Sequence, residues 1–284
     1  MKRVLLAVLG ACAAFNAWAD WLPREDPVPG GIAWVEIGPA TDPLPRVFLG
    51  PDRIMVVRHA NAWLAVVGVP LALKPGDHEL TVLDAGNHPS TRRFAVRPKT
   101  YRAQHITLKD QRMVDPTPAD LERIGREQTD MTRLFTAWRE VEAPLLTFQF
   151  PAEGRLTGGF GTRRFFNEQE RQPHSGIDIA APRGTPVMAP ADGVVTGIGD
   201  YFFNGRTVFL DHGQGLISMY NHLDRVAVTV GEKVVRGQRL GNVGMTGRAT
   251  GPHLHWTMSL NNTRVDPLLF VSEDSIRHLA QHGK

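Results

Sequence analysis

The chain has a single cysteine, Cys12, among 284 residues. That residue sits where it is expected to be lost. Lys2-Arg3 gives a charged start, Val4 to Ala11 a short apolar run, and Ala17-Trp18-Ala19 a small-x-small cleavage site, which together read as a secretory signal peptide over residues 1–19. Cleavage after Ala19 leaves no thiol, which excludes disulfides, thiol catalysis and cysteine-ligated zinc. The alternative is a lipoprotein anchored through Cys12, because Leu9-Gly10-Ala11-Cys12 loosely resembles a processing box. The apolar run is too short for a permanent transmembrane helix, so the mature chain is expected to have none. The address this implies is secretion across the inner membrane into the periplasm.

Charge of one sign is also scarce. Lys and Arg number 32 against 29 Asp and Glu, and removing Lys2 and Arg3 leaves 30 against 29. No long charge run, low-complexity tract or basic stripe with interleaved aromatics is present, so nucleic acid is excluded as a partner. The length suits two ordinary cores, hence two domains.

What is present divides into two β-rich parts. From Gly31 to Leu108 short apolar alternations are broken by turns. They run at Ile32–Ile37, Arg53–Val57, Trp63–Val67, His78–Leu83, Arg92–Val96 and Ala103–Leu108. Strands at this spacing predict a small β-sandwich over residues 20–110. His59, His78, His88 and His105 are scattered through it without ligand spacing and are read as surface or edge residues. Over residues 111–145 the period changes to that of a linking amphipathic helix, spanning 117–141. It has Thr117 as N-cap and Pro118 at the first helical position, with Leu121, Ile124, Met131, Leu134, Phe135 and Trp138 on one stripe.

Residues 146–284 form the second part. Alternation at 193–198, 207–211, 216–220, 226–228 and 240–243, with many glycine turns, predicts an antiparallel β domain. Gly158-Gly159-Phe160-Gly161 lacks a dinucleotide fingerprint, so it suits a bulge or a close backbone approach beside a groove. Residues 165–171 are expected to form a loop that shapes access to that groove. Residues 272–282 read as a short terminal helix capped by Ser272, with His278 and His282 on its surface.

Three short stretches in this part carry candidate chemistry. In Gly251-Pro252-His253-Leu254-His255 the two imidazoles share one strand face. His174-Ser175-Gly176-Ile177-Asp178 offers a nitrogen and an anionic oxygen donor four residues apart, with Gly176 allowing the backbone to bend. Tyr220-Asn221-His222-Leu223 adds a further histidine. Two histidines and one carboxylate make the three-ligand set of a catalytic zinc site with a fourth position open. His212 lies between a strand and a glycine turn and is read as structural.

These motifs, in this order, resemble the lysostaphin/LytM-type zinc metallopeptidases that cut peptide bonds in peptidoglycan. The likeness covers roughly residues 150–270 and includes Gly159-Phe160-Gly161, residues 189–195 and Val265-Asp266-Pro267. It implies one zinc ion held by His174, Asp178 and His255, with His253 and His222 unligated and catalytic. It implies peptidoglycan stem peptides as substrate, and leaves any regulatory protein partner unknown. Two readings compete. One is a non-catalytic or autoinhibited regulator of cell-wall hydrolases, which the intact ligands oppose. The other is a lipoyl- or biotinyl-type carrier, for which Lys233, the one lysine in the relevant span, sits in the wrong turn.

Overall fold

The computed structural model describes residues 22–282. The expected signal peptide, with Cys12, lies outside the described residues. Strands dominate. No helix among the described residues is long and apolar enough to cross a membrane.

The first six strands are β1 (Ile32–Pro39), β2 (Arg46–Leu49), β3 (Asp52–His59), β4 (Ala62–Gly68), β5 (Gly76–Leu83) and β6 (Pro89–Val96). They hydrogen-bond in the order β1-β4-β3-β2-β5-β6. The sheet curls so that its ends meet, and Arg92 of β6 donates through Nε and Nη2 to the Ile37 carbonyl of β1. Alternate side chains from all six strands, among them Val35, Val47, Ile54, Val67, Leu80 and Phe94, fill the enclosed core. The sequence expectation missed β2, a four-residue strand with Pro45 immediately before it. It also placed residues 103–108 in this sandwich. Instead β7 (Ala103–Ile106) leaves it and pairs in parallel with β9 (Arg163–Phe166) of the second part.

Helix α1 (Pro118–Phe135) starts as expected. Thr117 and Asp120 form a reciprocal capping box with Pro118 at the first turn. It ends at Phe135 rather than near residue 141. The chain turns out of the helix because its next groups bind elsewhere. Arg139 pairs with Asp211, and the Arg139 and Val141 carbonyls accept from Gln214 N and Nε2. Trp138 lies flat under the Arg53 guanidinium, 4.2 Å from the ring centroid.

The remaining elements are β8 (Arg155–Gly158), β10 (Gln169–Glu170), β11 (Ile177–Ala180), β12 (Pro186–Met188), β13 (Gly193–Tyr201), β14 (Gly205–Gly213), β15 (Leu216–Val226), β16 (Lys233–Val234), β17 (Arg239–Val243), β18 (His253–Leu260), β19 (Thr263–Val265) and α2 (Glu273–His282). The main sheet runs β16-β13-β14-β15-β18-β11-β8, and its pairs are antiparallel. Residues 165–171 are not an open loop. β9 and β10 form a hairpin whose turn residues Asn167 and Glu168 both have positive φ, at 48° and 62°.

One buried cluster crosses between the two parts. Ile32, Met55, Val57, Leu64 and Val66 of the first sheet pack with Leu260, Val265, Trp256 and Phe148 of the second. Buried amides lock the join. Asn261 Oδ1 accepts from Gly68 N at 2.7 Å, and Gln214 Oε1 accepts from Val56 N at 3.0 Å. At about 1.5–3 kcal/mol per buried aliphatic side chain, this seam stabilises the arrangement by an upper bound on the order of 10 kcal/mol.

Candidate metal centre

Three neighbouring strands, β11, β18 and β15, bring the predicted residues together. Asp178 lies directly opposite His255, and His255 opposite Asn221. Directly opposed residues share a face, so the Asp178 carboxylate and the His255 imidazole meet above the sheet. His174 comes from the segment ahead of β11. Its backbone is clamped by the preceding turn: its N–H donates to the Thr162 carbonyl and its carbonyl accepts from Gly161 N, each at 2.8 Å.

The three donor atoms form a small triangle. His174 Nε2 is 3.0 Å from Asp178 Oδ1 and 2.9 Å from His255 Nδ1, and His255 Nδ1 is 2.9 Å from Asp178 Oδ1. All three residues are buried. Donors at about 2.0–2.1 Å from a tetrahedral ion stand roughly 3.3 Å apart, so this triangle would open by a few tenths of an ångström to hold a zinc-sized cation. Two imidazole lone pairs and a carboxylate oxygen this close repel one another unless a cation or proton lies among them.

The outer contacts fix which nitrogens face the centre. His174 Nδ1 donates to the Gly159 carbonyl at 2.8 Å, which leaves its inward Nε2 unprotonated. His255 Nε2 lies 2.9 Å from Thr257 Oγ1, a hydroxyl able to accept from it and so to leave Nδ1 free for a cation. Asp178 uses its second oxygen on Arg164, whose Nη2 lies 2.5 Å from Oδ2. Burial alone would raise the Asp178 carboxyl, but the two imidazoles outweigh it and hold it well below the usual carboxylate range. Burial pushes His255 down to about 4.

The two remaining histidines are arranged in the same way. His253 Nδ1 donates to the Gly251 carbonyl and His222 Nδ1 to the Thr246 carbonyl, both at 2.8 Å. Their ring centroids are 4.7 Å apart, and His253 Nε2 is 3.9 Å from Asp178 Oδ1. His222 reaches this face by an irregularity. Strict alternation after Ser218 and Tyr220 would point it into the core. A bulge spans this point of the β14–β15 pairing, and His222 has φ 62°, so its ring turns to the groove. Burial first, then the neighbouring His253 and His255, lower His222 to about 3.

Glycine serves close approach at two positions. A Cβ at Gly158 would press on the Asp178 carboxylate, and one at Gly176 would strike the Trp256 carbonyl. For Gly176 the requirement is thus space against β18, and its φ is not positive.

His212 is structural, for a different reason than a turn cap. It is buried on the opposite side of the sheet, donating to the Asp192 carbonyl and accepting from Ser218 Oγ, both at 2.7 Å. His88, His105 and His278 are exposed, and His59 and His78 partly so. Among the described residues the one metal-type cluster is His174, Asp178 and His255.

The sequence reading did not find Arg164, Thr257 or the three carbonyl acceptors. Thr257 was within reach of the same two-residue period that pairs His253 with His255. Arg164 and the carbonyls of Gly159, Thr246 and Gly251 depend on how separate segments cross and leave no local pattern. A groove beside the centre is lined by Asp178, His222, His253, Arg164 and Arg248, with Gln104, Ile106 and Leu108 forming its far wall. The segment after the first sheet therefore builds part of the site.

Comparison with known proteins agrees with this geometry. Residues 172–267 match the model of peptidase family M23, and residues 25–99 match the peptidase family M23 N-terminal domain. The peptidoglycan DD-endopeptidase ShyA of Vibrio cholerae is 40% identical over 115 residues, covering 40% of this chain and 27% of that protein. The DD-carboxypeptidase/endopeptidase Mpg of Neisseria meningitidis is 41% identical over 114 residues, covering 40% of this chain and 26% of that protein. The chain thus spans about a quarter of the length of these curated relatives. A crystal structure from Pseudomonas aeruginosa assigned to peptidase M23 superposes with a TM-score of 0.73 at 44% identity, covering 87% of this chain and 95% of that one. With the expected ligand motifs folded into one buried triangle and a relative matched along nearly its whole length, this chain belongs to peptidase family M23.

Proposed function

We propose that this protein is an exported, zinc-dependent endopeptidase that hydrolyses peptide cross-links of peptidoglycan in the periplasm. The observation that carries the chemistry is the converging donor triangle with two further lone-pair nitrogens beside it. The curated relatives named as peptidoglycan endopeptidases support the substrate class. The N-terminal sequence supports export.

His174, Asp178 and His255 would hold the ion. When bound, zinc polarises the scissile carbonyl and brings a water pKa toward about 7. The protein supplies the proton path. In their neutral forms His253 and His222 both present an unprotonated Nε2, because each Nδ1–H is committed to a carbonyl. They are therefore proton acceptors first. His253, the more accessible of the two, takes the proton of the attacking water as general base. Only after taking up a proton can either ring donate, to the developing oxyanion or to the leaving amine. His253, once protonated, returns that proton to the leaving amine, and His222, 4.7 Å from it between ring centroids, offers its Nε2 as the acceptor that steadies the proton in transit.

The test is digestion of purified peptidoglycan by the mature chain beside His255→Ala and His253→Ala. Soluble peptides from the wild type alone, with zinc retained by His253→Ala and lost by His255→Ala, is the expected pattern. A His255→Ala protein that stays folded and releases peptides at the wild-type rate would refute the proposal.

A further inference from the structure

Two guanidinium groups line the groove, Arg164 and Arg248, with Arg171 close enough to act on Arg248, and Arg164 and Arg171 are both spent on carboxylates of the chain itself. Arg164 donates to Asp178 Oδ2 at 2.5 Å, and Arg171 lies 3.2 Å from Asp115 Oδ1. Arg248 has no carboxylate partner among the described residues. Its one polar contact is from Nη1 to the Met113 carbonyl, long at 3.4 Å. Otherwise it is sandwiched between rings, its central carbon 4.4 Å from the Phe166 centroid and 4.2 Å from that of Phe203. Burial, reinforced by Arg164 and Arg171, lowers its pKa to about 10, which still leaves it cationic at neutral pH.

A guanidinium carries five donors, and burying it without an anion is costly. Arg264, half-buried like Arg248, is better satisfied. It donates to Ser259 and to the Asn262 carbonyl and lies over the Phe135 ring. Arg248 instead faces open space on both sides of the centre. It lines a cavity of about 230 Å³ with His222 and His253, and a second of about 160 Å³ with His174 and His255. The two rings restrict where the guanidinium can move, and its fork of donors suits paired hydrogen bonds to a planar anion.

We propose that Arg248 is a specificity-determining residue that binds a free carboxylate on the peptide being cleaved, carried by a residue next to the scissile bond. This rests on the endopeptidase reading above. A lysine would bring a point charge without the fork and without the flat face that fills the gap between Phe166 and Phe203.

The experiment compares two synthetic cross-linked stem-peptide dimers. They are identical except that the carboxylates flanking the scissile bond are free in one and carboxamides in the other. The whole mature chain, zinc-loaded, is expected to favour the free acid in kcat/KM by about 10–100-fold. In Arg248→Gln the ratio falls to about one, through loss on the acid alone, while Arg248→Lys keeps part of the preference. Thermal unfolding and zinc content are followed in each variant. If Arg248→Gln does not fold, the wild-type ratio decides, and a ratio near one overturns the inference. Equal losses on both dimers in a folded Arg248→Gln also overturn it, because they mark a purely structural role. Cleavage of both dimers at one rate removes this inference and leaves the peptidase standing. Cleavage of neither removes both.

Discussion

Lowering the pH should destabilise this protein through one histidine that takes no part in the chemistry. His212 Nδ1 donates to the Asp192 carbonyl, so its Nε2 must accept from Ser218, which in turn takes the Tyr220 hydroxyl at 2.8 Å. Protonation at Nε2 would set a donor against that hydroxyl, deep in the core and 4.8 Å from the Phe148 ring. Burial accordingly lowers the ring's pKa from 6.5 to about 4. The sign follows from proton counting. Below about 6.5 the unfolded chain takes up a proton that the folded chain refuses until about 4, so stability is full above that window and is lost as pH falls through it. At about 1.4 kcal/mol per unit the loss is roughly 3 kcal/mol across the window and about 2 kcal/mol by pH 5. The assay is urea unfolding at pH 7.5 and 5.0 for the wild type and His212→Gln. The variant carries its own constant cost, and the contributions of all other groups cancel in the comparison. The wild type should therefore lose about 2 kcal/mol more than the variant between the two pH values. Equal losses would refute the buried neutral ring. His212→Gln should also keep its zinc.

Three further outcomes follow from particular contacts. Asn261→Ala leaves the buried N–H and carbonyl of Gly68 without their partners. A loss of about 2–4 kcal/mol in chemical denaturation is expected, and one below about 0.5 kcal/mol would contradict the seam as described. Gly158→Ala sets a methyl group 2.9 Å from Asp178 Cγ and should weaken zinc binding about 10–100-fold in a chelator competition. Unchanged affinity would show that the carboxylate has room to move. His222→Ala and His253→Ala should each hold one zinc but lose about 100- to 10,000-fold in kcat at fixed pH. Loss of the ion from either would make it a ligand.

Much of this was legible in the chain because two periods carry it. Alternation placed His253 and His255 on one strand face, and it located most strands in both parts; that Asp178 shares that face came only from the pairing of β11 with β18. The capping box at Thr117 and Asp120 fixed the start of α1 because capping is a local event. Its end was not legible. Residues 136–141 are drawn away by Asp211 and Gln214, some seventy positions on. The destination of β7 was hidden for the same reason: its strand pattern is local, but its partner, β9, is not. His222 shows how a period can mislead, since only a bulge turns it to the groove. Arg248 sits in a turn between strands, where nothing in its neighbours announces the two phenylalanines that enclose it.

The central claim is that the His174–Asp178–His255 triangle drives peptide hydrolysis. The most direct measurement is mass spectrometry of a purified cross-linked peptidoglycan dimer incubated with native, chelator-stripped and zinc-restored protein. Hydrolysis of one amide bond between the two peptides, lost on stripping and recovered with one equivalent of zinc, is the predicted result. An intact dimer in all three reactions, with zinc bound and the protein folded, would contradict it.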